Sequence, residues 1–142
     1  MTKAKLFVLL QFLLLILLFY RCGVFASWPW LVIQLLGSLL GVWAILQFEF
    51  KDLAVSPVPK SQAKLIRSGP YQWIRNPMYL SVLLWCLPLA LEARSLVSGL
   101  LFLCLVVLMV MKLNYEESLL KAHYAGFDAY RKGSKKLIPF IY

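Results

Sequence analysis

Apolar residues in this chain gather in four long runs, not in the alternation of a half-buried strand or the narrow stripe of a surface helix. The first two cover about 6–25 and 28–48, each close to the ~20 residues that cross a hydrocarbon core as a helix. The third, 78–91, is shorter and carries Pro88, and the fourth covers 96–113. Residues 6–20 hold no charge and one strongly polar side chain, Gln11, and residues 96–111 hold no charge at all. Only Glu92, Ala93, Arg94 and Ser95 separate the last two runs, which predicts a tight helical hairpin. Its short first arm spans a bilayer if it tilts little or if its start is sunk in protein. Two polar segments remain. Residues 51–77 form a loop rich in turn formers, including Pro57, Pro59, Ser68, Gly69 and Pro70. In the tail, 114–142, Leu119, Leu120, Tyr124, Phe127 and Tyr130 recur at spacings of three and four. That pattern predicts an amphipathic helix along the membrane surface, weakened at Gly126 and ended by Pro139. The expected fold is all-α: a single integral membrane domain over 1–142 with about four transmembrane helices, a C-terminal helical hairpin and a cytoplasmic tail helix.

Composition and charge sharpen this reading. Hydrophobic residues make up 62% of the 142-residue chain, against about 45–50% in soluble domains. Lipid must cover the excess. A secretory signal would account for the first run alone, and no small-x-small cleavage site follows it cleanly. The net charge of +9 suggests nucleic acid only if its position is ignored. Thirteen of the fifteen lysines and arginines precede the first run, lie between the second and third, or end and follow the fourth. Arg21 and Arg94 alone fall in the alternate loops. By the positive-inside rule both termini are cytoplasmic and the partner of the basic segments is the bilayer, not nucleic acid. Cys22, Cys86 and Cys104 sit in or beside apolar runs without ligand spacing, and no metal site is expected.

Two groups of residues are suited to chemistry. Residues 69–79 read Gly-Pro-Tyr-Gln-Trp-Ile-Arg-Asn-Pro-Met-Tyr, placing Arg75, Asn76, Tyr71 and Tyr79 around the start of a helix whose first turn suits Pro77. Free N–H groups at such a start favour anions or polar ligands. The same residues also serve as an interfacial anchor, with Arg75, Trp73 and Tyr79 gripping headgroups. The second group is Lys112, Glu116 and Glu117. Adjacent carboxylates at the C-terminal end of a membrane helix repel each other at the unfavourable dipole end, and a nearby cation relieves them. Lys112 and Glu116, four apart, share a helix face. An ordinary surface ion pair is the competing account. His123, the only histidine, suits interfacial packing, and there is no Ser/His/Asp set, P-loop or GxGxxG.

Taken in order, these groups resemble the superfamily of isoprenylcysteine carboxyl methyltransferases and phospholipid methyltransferases. That family shows G-x-Y-x-x-x-R-[HN]-P-x-Y, an apolar hairpin, an Arg-x-x-x-Glu-Glu motif and an aromatic tail with a late proline. Here the matching residues are Gly69, Tyr71, Arg75, Asn76, Pro77 and Tyr79, then Glu116 and Glu117, then Tyr124, Phe127, Tyr130 and Pro139. The resemblance implies an S-adenosylmethionine-dependent membrane methyltransferase. Lys64, Leu65, Ile66, Tyr71, Asn76, Pro77, Met78, Tyr79 and Glu116 would face the cofactor, and Lys112 the substrate. Lys112, Glu116, Glu117 and Arg75 are the expected catalytic set. The acceptor is a lipophilic molecule with a carboxyl, amine or hydroxyl group, a phospholipid amine being the alternative. Two positions depart from the family pattern. Asn76 stands for histidine, as in bacterial relatives, and cannot titrate; Lys112 stands for arginine and loses the bidentate fork. A bacterial inner membrane is the expected location. The competing expectation is a membrane scaffold or lipid-binding protein without catalysis.

Overall fold

The computed structural model describes residues 3–47, 66–123, 127–139 and 141–142. Five α-helices organise them: α1 (Lys3–Cys22), α2 (Leu31–Ile45), α3 (Pro77–Glu92), α4 (Leu96–His123) and α5 (Phe127–Gly133), with a 3-10 turn at Gly69–Gln72. Among the described residues there is no strand, only an isolated parallel bridge between Ile74 and Lys135.

The apolar pattern locates the hairpin well, since α3 and α4 are separated by three residues. Two elements differ from expectation. The helix that begins the fourth run is 28 residues long and runs on past the apolar stretch to His123 without a break before the tail pattern, because nothing from Lys112 onward breaks it. The described residues of the expected surface helix fall in the last turns of α4 and in the short α5, which ends at Gly133, ahead of Pro139. Tyr124 and Gly126 lie outside the described residues. α1 and α4 are long and apolar enough to cross a membrane, whereas α2 and α3 are shorter apolar helices of 15 and 16 residues.

Neighbouring helices alternate in direction. At one end the α1–α2 connection meets the α3–α4 turn: Ser27 N donates to Glu92 Oε2 at 2.9 Å, and Cys22 Sγ to Ser98 Oγ at 3.3 Å. Gln34 ties this end together from inside. Its Nε2 donates to the Val24 and Trp85 carbonyls and its Oε1 accepts from Ala26 N, so its fully buried amide is satisfied. The opposite end collects the start of α1, the end of α2, the start of α3 and the polar end of α4. Between the ends, Leu18, Leu83, Cys86, Leu105, Met109 and Leu113 form the core, capped by Leu137 from the tail.

The α2–α3 contact is the most extensive in the bundle, and small residues make it close. A side chain at Gly37 would meet Leu84 Cβ at 3.0 Å and the Ser81 carbonyl at 3.1 Å, and one at Gly41 would meet Ser81 Oγ at 2.5 Å. This small-xxx-small spacing is how apolar helices approach each other without a hydrophobic drive from water. Outward, Leu9, Phe12, Leu13 and Ile16 of α1, Leu35, Leu36 and Leu39 of α2, and Leu100, Leu103 and Val107 of α4 are exposed, a surface suited to lipid.

Candidate active site

The loop before α3 is shaped by its sequence. Gly69 adopts φ +56, which a side chain would strain, and a Cβ there would run into the Gln47 carboxamide at 2.5 Å. Pro70 and Tyr71 are buried by the short turn that follows. Residues 73–75 then pair with the tail, Lys135 N donating to Trp73 O and Arg75 N to Lys135 O, each at 2.8 Å. Pro77 opens α3, where its missing N–H costs nothing. Asn76 precedes it but does not cap it; its Nδ2 donates to Lys136 O at 2.9 Å. The amide thus acts as a staple between loop and tail.

Against this loop stands the polar end of α4. The Arg75 Nε donates to Glu117 Oε1 at 2.7 Å, with both side chains about nine-tenths buried (7% and 10% exposed). Arg75 Nη1 donates to the Ser134 carbonyl and to Arg131 O at 3.2 Å. Lys136 Nζ lies 3.7 Å from Glu117 Oε2 and donates to Asn114 Oδ1 at 2.6 Å. Glu117 therefore sits between two cations, which offsets the repulsion expected between adjacent carboxylates.

Glu116 points elsewhere. Tyr79 Oη donates to its carboxylate, with Oε1 at 2.5 Å and Oε2 at 2.6 Å. Glu116 lies past the apolar stretch of α4, and burial pushes its carboxyl above the usual range, opposed by the Tyr79 hydroxyl and by Lys112. Lys112 is buried. Its Nζ donates to Gln11 Oε1 of α1 at 2.8 Å, lies 5.0 Å from the Tyr79 ring centroid, and is 4.0 Å from Glu116 Oε1. In the tail, Tyr130 Oη donates to Tyr71 O at 2.7 Å. Burial raises the Tyr130 phenol to about 12, with Arg75, Ser134 and Arg67 pulling the other way.

The structure thus gathers Arg75, Asn76, Tyr79, Lys112, Glu116 and Glu117 at one end of the bundle, with Tyr71 joined through Tyr130 and Pro77 buried beneath. Met78 is exposed on the first turn of α3, and Ile66 is at the edge of the described residues. Lys64 and Leu65 lie outside them. Two partners escaped the sequence reading. Lys136 hides in a basic run that looks like a headgroup patch. Gln11 had a signal, as the lone strongly polar residue in 6–20, but nothing in one dimension named its partner. Away from this cluster, an apolar cavity of about 350 Å³ opens between α1 and α3, lined by Leu15, Phe19, Val24, Val82, Trp85 and Cys86 among others. Among the described residues no cluster of His, Cys, Asp and Glu is placed to hold a metal ion.

No curated protein matches the chain. The family model for phospholipid methyltransferase matches residues 29–126, from the start of α2 past the end of α4. That span covers the Gly-x-Tyr loop, the hairpin and the Glu116–Glu117 pair, and the chain belongs to the phospholipid methyltransferase family of membrane proteins.

Proposed function

We propose that this protein is an S-adenosylmethionine-dependent methyltransferase acting on a lipophilic acceptor, with a phospholipid headgroup as the acceptor that the family description favours. The observation that carries the reading is the Tyr79–Glu116 contact. It joins two motifs 37 residues apart into one cluster, which a pair of separate headgroup anchors would not require. Glu116 and the face of Tyr79 offer a carboxylate and an aromatic ring side by side, the two features that hold an onium ion. The cofactor, when bound, supplies an electrophilic methyl group on a sulfonium. Tyr71, Asn76, Pro77, Met78, Tyr79 and Glu116, with residues 64–66, form its cradle in this reading.

The rest of the cluster positions and excludes water, work that supplies about 7–11 kcal/mol of a displacement barrier. Arg75 and Glu117 brace the loop and tail against each other, and Lys112 faces the acceptor. A carboxylate acceptor needs no base. An amine must shed a proton, and because Glu117 is held by Arg75 and Lys136, the Tyr79–Glu116 pair is better placed to take it. The cavity between α1 and α3 offers room for an acyl chain.

Four spans with both termini in the cytoplasm, in a bacterial inner membrane, complete the proposal. Lys3, Lys5, Arg67, Arg75 and Lys112 belong to the site end of the bundle, and Arg21 and Arg94 to the other, which supports that orientation. Exposed Trp28 and Trp30 at one end and Trp43 and Trp73 at the other resemble interfacial belts.

Calorimetry in detergent tests the cofactor: wild type binds S-adenosylhomocysteine and Glu116→Ala does not. Incubation with a methyl-labelled donor and total membrane lipid then tests the acceptor. N-methyl products survive mild base, whereas methyl esters hydrolyse. A wild-type protein that neither binds the product cofactor nor labels any lipid is a scaffold, and the proposal fails.

A further inference from the structure

A carboxamide in a helix that faces lipid is costly unless something engages it. Gln11 has exposed Leu9, Leu10, Phe12 and Leu13 around it, yet its Oε1 reaches across to Lys112 Nζ. The bond changes what Lys112 can do. Four residues from Glu116 on one helix face, the ammonium would by default fall onto that carboxylate as an i,i+4 pair. It lies 4.0 Å from Glu116 Oε1, within ion-pair reach but beyond hydrogen-bond range, and over the Tyr79 ring. One N–H is spent on Gln11 and none on the carboxylate. Among the described residues the Gln11 Nε2 has no partner of its own, so amide and ammonium present donors together.

The register of the helices adds the second observation. Leu15 and Phe19 follow Gln11 by one and two turns of α1, and Val82 and Cys86 follow Tyr79 by one and two turns of α3. These four residues line the apolar cavity, which reaches Val24 at the other end, so Gln11 and Tyr79 stand one helical turn from its site-ward edge without lining it. α1 lies outside the segment matched by the family, residues 29–126, so Gln11 is a contribution of this chain's own first helix.

We propose that Gln11 is a positioning residue for the acceptor, holding the Lys112 ammonium off Glu116 and at the head of the α1–α3 cavity, where it meets the phosphate of a phospholipid whose acyl chain fills that cavity. The proposal rests on the methyltransferase reading for its purpose, but lipid binding alone tests it. The experiment is a double-mutant cycle on the full chain in detergent: wild type, Gln11→Leu, Lys112→Met and both together. Each is titrated with a fluorescent phosphatidylethanolamine, assayed for KM and kcat, and titrated with S-adenosylhomocysteine. Gln11→Leu weakens lipid binding about tenfold, the worth of one charge-assisted hydrogen bond. It raises the acceptor KM by the same factor and leaves kcat and S-adenosylhomocysteine affinity within twofold of wild type. In the Lys112→Met background the same change has no further effect. A merely structural glutamine would cost the same in both backgrounds, so additive losses overturn the proposal. Unchanged lipid affinity in Gln11→Leu overturns it as well. Gln11→Met, which keeps the length of the side chain, must reproduce the pattern if Gln11→Leu does not fold. Should no variant transfer methyl while the binding cycle stays non-additive, the catalytic reading falls and the Gln11 assignment stands.

Discussion

Replacing Arg75 with methionine isolates the contact that joins loop, tail and α4. Arg75 and Glu117 are about nine-tenths buried, so neither charge is screened as a surface pair would be. Removing one partner of a buried pair typically costs about 3–5 kcal/mol because the other charge is stranded. Lys136 Nζ remains 3.7 Å from the Glu117 carboxylate, which argues for the lower end, about 3 kcal/mol. The Ser134 carbonyl also loses its donor, at about 1 kcal/mol, while the exposed Arg131 carbonyl can turn to water. The expected loss is therefore about 4 kcal/mol, a large share of the ~5–15 kcal/mol that holds a typical domain. The double variant Arg75→Met/Glu117→Leu carries no stranded carboxylate and should recover all but about 1–2 kcal/mol. Arg75→Lys should fall between, keeping the charge but not the fork that reaches Glu117 and the tail carbonyls at once. Denaturant unfolding in mild detergent, followed by tryptophan fluorescence, measures all three. A single variant within 1 kcal/mol of wild type, or a double variant as unstable as the single, would refute the claim that this pair is desolvated and mutually required.

Three further outcomes follow from separate parts of the molecule. Gly37→Ala should destabilise the protein by about 1–2 kcal/mol, because the new methyl meets a Cβ and a backbone carbonyl that cannot yield, whereas Gly41→Ala should lie within about 1 kcal/mol of wild type, since the Ser81 hydroxyl can rotate away; thermal unfolding of the two should differ in that order. Arg94 sits at φ 45 in the α3–α4 turn, so Arg94→Gly should stabilise by about 0.5–1 kcal/mol and Ala93→Gly, at φ −62, should not. The Tyr130 phenol is raised by burial to about 12, so its contribution is intact below pH 10 and is lost as pH climbs through 12. Unfolding midpoints should fall across that window, and Tyr130→Phe should flatten the fall while losing about 1 kcal/mol with the bond to Tyr71 O.

What could be read in advance depended on whether the determining interaction is periodic or solitary. The hairpin was legible because a run of apolar residues, a four-residue polar break and a second run leave one economical arrangement. The continuity of α4 beyond its apolar run was not, because hydropathy reports where lipid ends, and a helix ends only where its backbone bonds do. Charge in Glu116 and Glu117 marks the water side of α4 without interrupting it. The polar loop and the acidic pair could be matched by motif order, and they do meet, through Tyr79 and Glu116 and through Arg75 and Glu117.

Their roles within that meeting needed coordinates. Adjacent glutamates are interchangeable in a sequence, but on a helix they diverge by about 100°, so one faces the loop–tail junction and the other faces α3. Glu117 takes two cations and becomes a brace; Glu116 takes a phenol and keeps a lysine at arm's length. The asymmetry follows from what each neighbour contributes. Arg75 and Lys136 come from backbone already tied together by the 73–75 and 135 pairing, so they can converge on one carboxylate. Lys112 shares a helix with Glu116 and lies 4.0 Å from its carboxylate, while its hydrogen bond goes to Gln11 on a different helix. A cation that spends no hydrogen bond on its own neighbour keeps donors for something else. In the proposed role of Gln11, the polar residue that looks least at home in the first apolar run bears on what this site accepts.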